Sequence, residues 1–119
     1  MKPEHLCLLV VDDEDDFRTL VKHRFRRRGY RVLEASRGEE ALEVCGQAER
    51  VDLVITDIRM PKMSGEVLIQ RLRAIRPFLP IIGVTGHADL KAKHAALDGG
   101  AYYSVDKPQP GLACQARLE

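Results

Sequence analysis

Five short apolar runs punctuate this chain, and four of them stop on, or run into, a charged or hydroxyl residue. Leu6 to Val11 ends at Asp12 and Asp13, Val51 onward ends at Asp57, Pro80 onward ends at Thr85, and Ala101 to Val105 runs into Lys107. Arg31 to Ala35 is the remaining run. Between the runs, apolar residues recur at helical spacing. Phe17, Leu20, Val21 and Phe25 predict one helix, stopped by Gly29; Ala41, Leu42 and Cys45 predict a second, opened by a capping box at Ser36 and Glu39. Ser64 caps a third helix carrying Leu68, Ile69, Leu72 and Ile75, ended by Pro77, and Asp89 caps an Ala-rich fourth that closes at Gly99 and Gly100. Strands alternating with helices predict an α/β fold on a parallel sheet. A first strand apolar on both faces fits a sheet covered on both sides. With right-handed crossovers, the expected arrangement is a doubly wound five-stranded sheet ordered 2-1-3-4-5.

The chain has 119 residues, enough for one compact domain. A formal net charge of +1 argues against nucleic acid or an anionic membrane as the main direct partner, because both select a strong basic excess. The basic stretch from Lys22 to Arg28 reads first as a solvated face at a helix C-terminus, where cations are favoured. Three cysteines, Cys7, Cys45 and Cys114, form no metal-type spacing and suggest a reduced compartment. The longest apolar run is too short to cross a bilayer. The expectation is a soluble, cytoplasmic protein.

In an open α/β sheet, ligands bind beyond the carboxyl ends of the strands. The order 2-1-3-4-5 makes strands one, three, four and five neighbours, so Asp12, Asp13, Asp57, Thr85 and Lys107 should converge. Carboxylates brought together repel one another, and a divalent cation relieves that repulsion. All-oxygen donors without Cys or His suit Mg2+, with Mn2+ as the substitute. A carboxylate can also serve as a nucleophile toward a phosphoryl group. That transfer needs positioning and charge neutralisation more than acid–base help. Asp57, Lys107 and Thr85 are the right residue types for nucleophile, cation and hydroxyl donor. Taken singly, each has a plainer reading: an acidic loop that complements a helix dipole, a strand-end turn, a β-branched strand residue, a surface lysine. The joint placement is what points to chemistry.

Val10-Val-Asp-Asp13, Asp57-Ile-Arg-Met-Pro61, Ser64-Gly65, Val84-Thr85-Gly86 and Asp106-Lys107-Pro108 together resemble the motifs of response-regulator receiver domains of two-component signal transduction, the chemotaxis-regulator-like superfamily with a flavodoxin-like fold. The resemblance implies a single receiver domain over 1–119, with 5–108 well matched and 109–119 a short or truncated last helix. It further implies that Asp57 is the phosphoacceptor and that Asp13, Asp57 and the backbone carbonyl of Arg59 bind Mg2+ directly, with Asp12 acting through water. Thr85 and Lys107 would contact the phosphoryl group. The implied donor is a sensor histidine kinase or a phosphotransfer protein, and the implied recipient of the signal is a downstream effector or an output domain. Separately, a short last helix would leave apolar surface beside the fifth strand uncovered, and a homodimer is one way to cover it.

Some positions depart from the family pattern. Ser64 replaces the usual Asp, Gly86 a small Ala, and Ser104 the aromatic that usually precedes Lys107 by three residues. Two rival functions differ at named residues. An aspartyl-phosphate hydrolase of the haloacid-dehalogenase type needs a second Asp where Arg59 stands. A nucleotide-binding module needs a phosphate loop where Asp12 to Asp16 would repel phosphate. A degenerate receiver acting only as an interaction module is the third alternative.

Overall fold

The computed structural model describes residues 6–48, 50–60, 62–85 and 103–106, with Thr85 and the last four given as backbone. Five parallel strands form one sheet in the order β2-β1-β3-β4-β5, where β1 is Cys7–Val11, β2 Arg31–Ala35, β3 Leu53–Asp57, β4 Ile81–Thr85 and β5 Tyr103–Asp106. The expected order is the one observed. Strand ends shift by a residue or two: β3 begins at Leu53 rather than Val51, and β4 at Ile81 rather than Pro80. The Ala-rich helix, the tail and Lys107 lie outside the described residues.

Three helices are described: α1 at Asp15–Arg27, α2 at Gly38–Gln47 and α3 at Gly65–Ile75. They lie on both faces of the sheet, as a doubly wound fold requires. One core cluster joins Leu9, Val11, Val54 and Ile81 of the sheet to Ala41 and Cys45 of α2 and Leu68, Ile69 and Leu72 of α3. The other joins Val10, Val32, Ile55 and Val84 to Val21 of α1, with Phe17 and Phe25 packed against it. All five β1 residues are buried because both faces are covered. Each buried Leu or Ile contributes about 2 kcal/mol by leaving water. Ile75, in the last turn of α3, is largely exposed. No helix among the described residues is long and apolar enough to cross a membrane.

Local signals explain where the helices start and stop. Gly29 adopts φ 96°, and the Gly29 and Tyr30 amides return to the carbonyls of Arg26 and Phe25 at 3.0 and 3.1 Å. This is a Schellman closure, sealed by the edge-on contact of the Phe25 and Tyr30 rings at 5.6 Å. Ser64 caps α3 as expected, its hydroxyl accepting from the Val67 amide at 3.3 Å. The capping box expected at Ser36 and Glu39 is corrected by one residue. Arg37 occupies the N-cap without a side-chain bond, and the Glu40 carboxylate accepts from the Ser36 amide at 2.6 Å. Glu40, not Glu39, stands three residues after the true cap, so only it reaches back.

Candidate functional site

Strand β1 pairs with β2 on one side and β3 on the other. Chain progression therefore reverses between β1 and β3, and the crevice at their carboxyl ends is the topological switch point where such sheets bind ligands. Asp12 and Asp13 leave β1 into that crevice, and Asp57 closes β3 beside them. One carboxylate oxygen from each of the three lies within 4.8 Å of the other two. Asp12 is 0% exposed and Asp57 4%, whereas Asp13 is exposed. The site thus has two buried carboxylates and one open to solvent.

Backbone contacts fix the buried pair. The Asp12 amide donates to the Ala35 carbonyl at 3.1 Å, and Asp12 Oδ1 accepts from the Glu14 amide at 2.8 Å. Asp57 Oδ1 accepts from the Arg59 amide at 3.2 Å, so the turn that should present the Arg59 carbonyl also sets the rotation of the Asp57 carboxylate. Thr56, fully buried, donates its hydroxyl to the Asp57 carbonyl at 3.0 Å. The chain then crosses back to β4 through the Ile58 amide, which donates to the Val84 carbonyl at 3.0 Å.

The β3–α3 turn is built around a close approach. The Gly65 amide donates to the Ile58 carbonyl at 2.8 Å, and a Cβ on Gly65 would stand 2.4 Å from the Asp57 carbonyl oxygen and 2.5 Å from Ile58 Cα. Only glycine lets the first turn of α3 press on the backbone of Asp57. Lys62, in the same turn, takes φ 68°.

Of the residues expected to converge, the structure brings together the carboxylates of Asp12, Asp13 and Asp57. The Arg59 peptide lies in the turn that bonds Asp57. Thr85 ends β4, one residue beyond the Asp57–Val84 register pair, and Asp106 of β5 stands opposite Thr85. Lys107 lies outside the described residues.

Two residues at the site went unnamed in the sequence reading. Arg18 donates to the Asp12 carbonyl at 2.7 Å and to Glu34 at 3.3 Å, and it pairs with Asp15. Glu34 also accepts from Lys22 at 3.1 Å. Burial would raise the Glu34 pKa, but the Lys22 ammonium and the Arg18 guanidinium outweigh it and hold the carboxyl below its ordinary value. A signal existed: Glu34 is the one charged residue inside an otherwise apolar strand stretch, Val32 to Ala35.

The donor set is all oxygen, with two buried carboxylates and one exposed, and contains no thiolate or imidazole. That chemistry fits a hard divalent cation.

A family model described as the response regulator receiver domain matches residues 8–118. The transcriptional regulatory protein GlrR of Escherichia coli is 37% identical over 107 residues, covering 90% of this chain and 23% of that protein. The sensor histidine kinase RcsC of Escherichia coli is 35% identical over 105 residues, covering 88% of this chain and 11% of that protein. Among solved structures, a response regulator protein from Burkholderia pseudomallei, with a phosphorylated aspartic acid, calcium ion and citrate, superposes with a TM-score of 0.80 at 31% identity, covering 96% of this chain and 66% of that one. The chain spans about a quarter or less of these two sequence relatives.

Proposed function

The chain belongs to the response regulator receiver domain family, and from that premise we propose that it is a phosphorelay signal receiver in which Asp57 accepts a phosphoryl group. The observation that carries this reading is the convergence of the Asp12, Asp13 and Asp57 carboxylates within 4.8 Å at the switch point of the sheet. The donor is a phosphohistidine on a sensor histidine kinase or a phosphotransfer protein. A carboxylate oxygen of Asp57 attacks phosphorus, the phosphorus–nitrogen bond breaks, and its electron pair returns to the histidine, which takes up a proton. The product on this chain is an acyl phosphate.

Asp12, Asp13, Asp57 and the Arg59 carbonyl are the proposed holders of Mg2+, for which Mn2+ can substitute. When bound, the ion supplies positive charge against the phosphoryl oxygens. The burial of Asp57, which is 4% exposed, strengthens every such contact. The Arg59 amide holds the attacking carboxylate in one rotation, so the nucleophile is aimed before the donor arrives. Thr85 donates its hydroxyl to one phosphoryl oxygen, and Lys107 sets its ammonium against another. The turnover of the domain is confined to its own phosphorylation and dephosphorylation, and the signal leaves through a changed binding surface for an effector or output domain. A cytoplasmic setting, with no direct contact to nucleic acid or membrane, accords with the near-neutral charge.

The test is transfer from acetyl phosphate, followed by mass spectrometry. Wild type should gain one phosphoryl group in Mg2+ and none in a chelator, and Asp57→Asn, nearly isosteric but a poor nucleophile, should gain none. A phosphoryl adduct on the variant would overturn the assignment of Asp57. A wild type inert to acetyl phosphate and to every phosphorylated kinase offered would favour the interaction-module reading.

A further inference from the structure

We propose that Arg18 is a positioning residue for the cation site: its guanidinium fixes the Asp12–Asp13 turn so that the two carboxylates face Asp57. This inference rests on the reading of Asp12, Asp13 and Asp57 as the metal-binding set.

Arg18 lies on the first turns of α1, and its side chain is only 15% exposed. One terminal nitrogen donates to the Asp12 carbonyl at 2.7 Å, the Nε donates to Glu34 at 3.3 Å, and the other terminal nitrogen pairs with Asp15. The planar fork therefore ties the turn after β1 to the end of β2 and to the start of α1. A single ammonium could not reach all three partners. The contacts differ in weight. Asp15 is 81% exposed, so its pair with Arg18 contributes little. Glu34 is more sheltered, and its other carboxylate oxygen is braced by Lys22 at 3.1 Å. The Asp12 carbonyl belongs to a fully buried residue, so its bond from Arg18 is the most sheltered of the three.

The consequence falls on the carboxylates. Asp12 and Asp13 have no helix or strand of their own. The turn that carries them is held at Asp12, whose amide donates to the Ala35 carbonyl of β2, whose carboxylate accepts from the Glu14 amide, and whose carbonyl accepts from Arg18. Groups that orient metal ligands without touching the metal change affinity by roughly 10–100-fold when removed. A competing effect has the opposite sign, because deleting a cation near a cation site would tighten binding. Deleting the guanidinium removes one unit of charge whatever its partners and uncovers Asp15 and Glu34, so the sign of the change in Mg2+ affinity separates the two effects: weaker binding means that geometry outweighs charge.

The experiment titrates Mg2+ into the intact protein, following backbone amide shifts, at a temperature where circular dichroism shows every variant folded. Arg18→Ala should weaken Mg2+ binding about tenfold, at the low end for such groups. It should also speed hydrogen exchange of the Glu14 amide before any metal is added. Arg18→Lys should fall between the two, because its ammonium can serve the Asp12 carbonyl or Glu34 but not both. Glu34→Gln should weaken binding less than Arg18→Ala, since the bond to Asp12 survives. A role confined to fold stability would lower the melting temperature of Arg18→Ala and leave the Mg2+ affinity of the folded protein unchanged. That result, or tighter binding, overturns the proposal. If wild type itself takes up no Mg2+, the reading of the carboxylate set fails first, and with it the basis for this role.

Discussion

The two ends of the sheet use the same residue type to opposite effect. At the amino ends of the strands, Asp52 takes the Cys7 amide on Oδ2 at 2.7 Å and the Arg50 Nε on both oxygens at 2.9 Å, while its own amide donates to the Cys7 carbonyl at 2.7 Å. Burial alone would raise its pKa, but the amide and the guanidinium outweigh burial and hold it below the ordinary value. At the carboxyl ends, the Asp12 and Asp57 carboxylates also accept backbone amides, but they and Asp13 come within 4.8 Å of one another. Asp52 completes the start of two strands and stabilises the fold. Like charges at the other end oppose it. A carboxylate met by a guanidinium is explained by the fold, whereas carboxylates gathered within reach of one another form an oxygen cluster of the kind that fits a divalent cation.

The largest test of that contrast concerns the backbone that holds the upper cluster. Gly65→Ala would drive a methyl group into the Asp57 carbonyl oxygen and Ile58 Cα, which are main-chain atoms and cannot swing aside. A loss of about 3 kcal/mol is expected, at the upper end of overpacking costs. Gly46 is the control: a Cβ there meets nothing within 4 Å, and it sits inside α2. Gly46→Ala should gain about 0.5 kcal/mol from reduced chain entropy. Thermal unfolding of both variants checks the pair. A Gly65→Ala protein as stable as wild type would show that α3 does not press on the end of β3.

Gly65 also marks how far sequence could be read. Its place after Ser64 was visible, and so was the cap, because both follow from local hydrogen-bonding rules. Strand order and the meeting of Asp12, Asp13 and Asp57 were visible too, since apolar runs and their polar ends follow from burial and chain connectivity. Arg18 and Glu34 were not named. Their link joins a helix to an edge strand sixteen residues away, and no periodic pattern encodes a side chain reaching across a layer. The same limit misplaced the α2 cap, where Glu39 and Glu40 are equivalent in sequence and only the path of Arg37 decides between them.

A second test asks whether the carboxylates at the two ends carry opposite signs. Asp52→Ala strips the partner from the buried Cys7 amide, and about 2 kcal/mol should be lost, with Mg2+ binding unchanged. Asp13→Asn removes one charge from the upper cluster. Two unit charges at about 4 Å interact by about 1 kcal/mol even in bulk water, so the metal-free protein should melt roughly 4 °C higher. It should also lose most of the further rise that Mg2+ gives wild type. If Asp13→Asn lowers the melting temperature without metal, the cluster is satisfied from within, and the contrast between the two ends fails.

The smallest effect is the dependence of stability on acid. Glu34 and Asp52 both have folded pKa values lowered from their ordinary 4.5 and 3.8. For a lowered carboxylate the stabilisation is fully present above the unfolded value and is lost as pH falls through the folded one. The Glu34 contribution should therefore hold at neutral pH and fade below about pH 4.5, and that of Asp52 below about pH 3.8. Glu34 and Asp52 are partly exposed, at 32% and 25%, so solvent screens them and the change should be modest. The two should nevertheless respond differently to salt. Glu34 is held by two side-chain cations, whose pull weakens as ionic strength rises. Asp52 also takes a short bond from the buried Cys7 amide, and that bond should persist. Melting curves from pH 7 to pH 3, at low and high salt, would be compared with Glu34→Gln and Asp52→Asn, each of which keeps an acceptor and loses the charge. The gap between wild type and each variant should close as pH falls, and high salt should shrink the Glu34 gap more than the Asp52 gap. A gap that stays constant down to pH 3 would mean that shape rather than charge holds these contacts, and the amino end of the sheet would then owe nothing to its carboxylate being ionised.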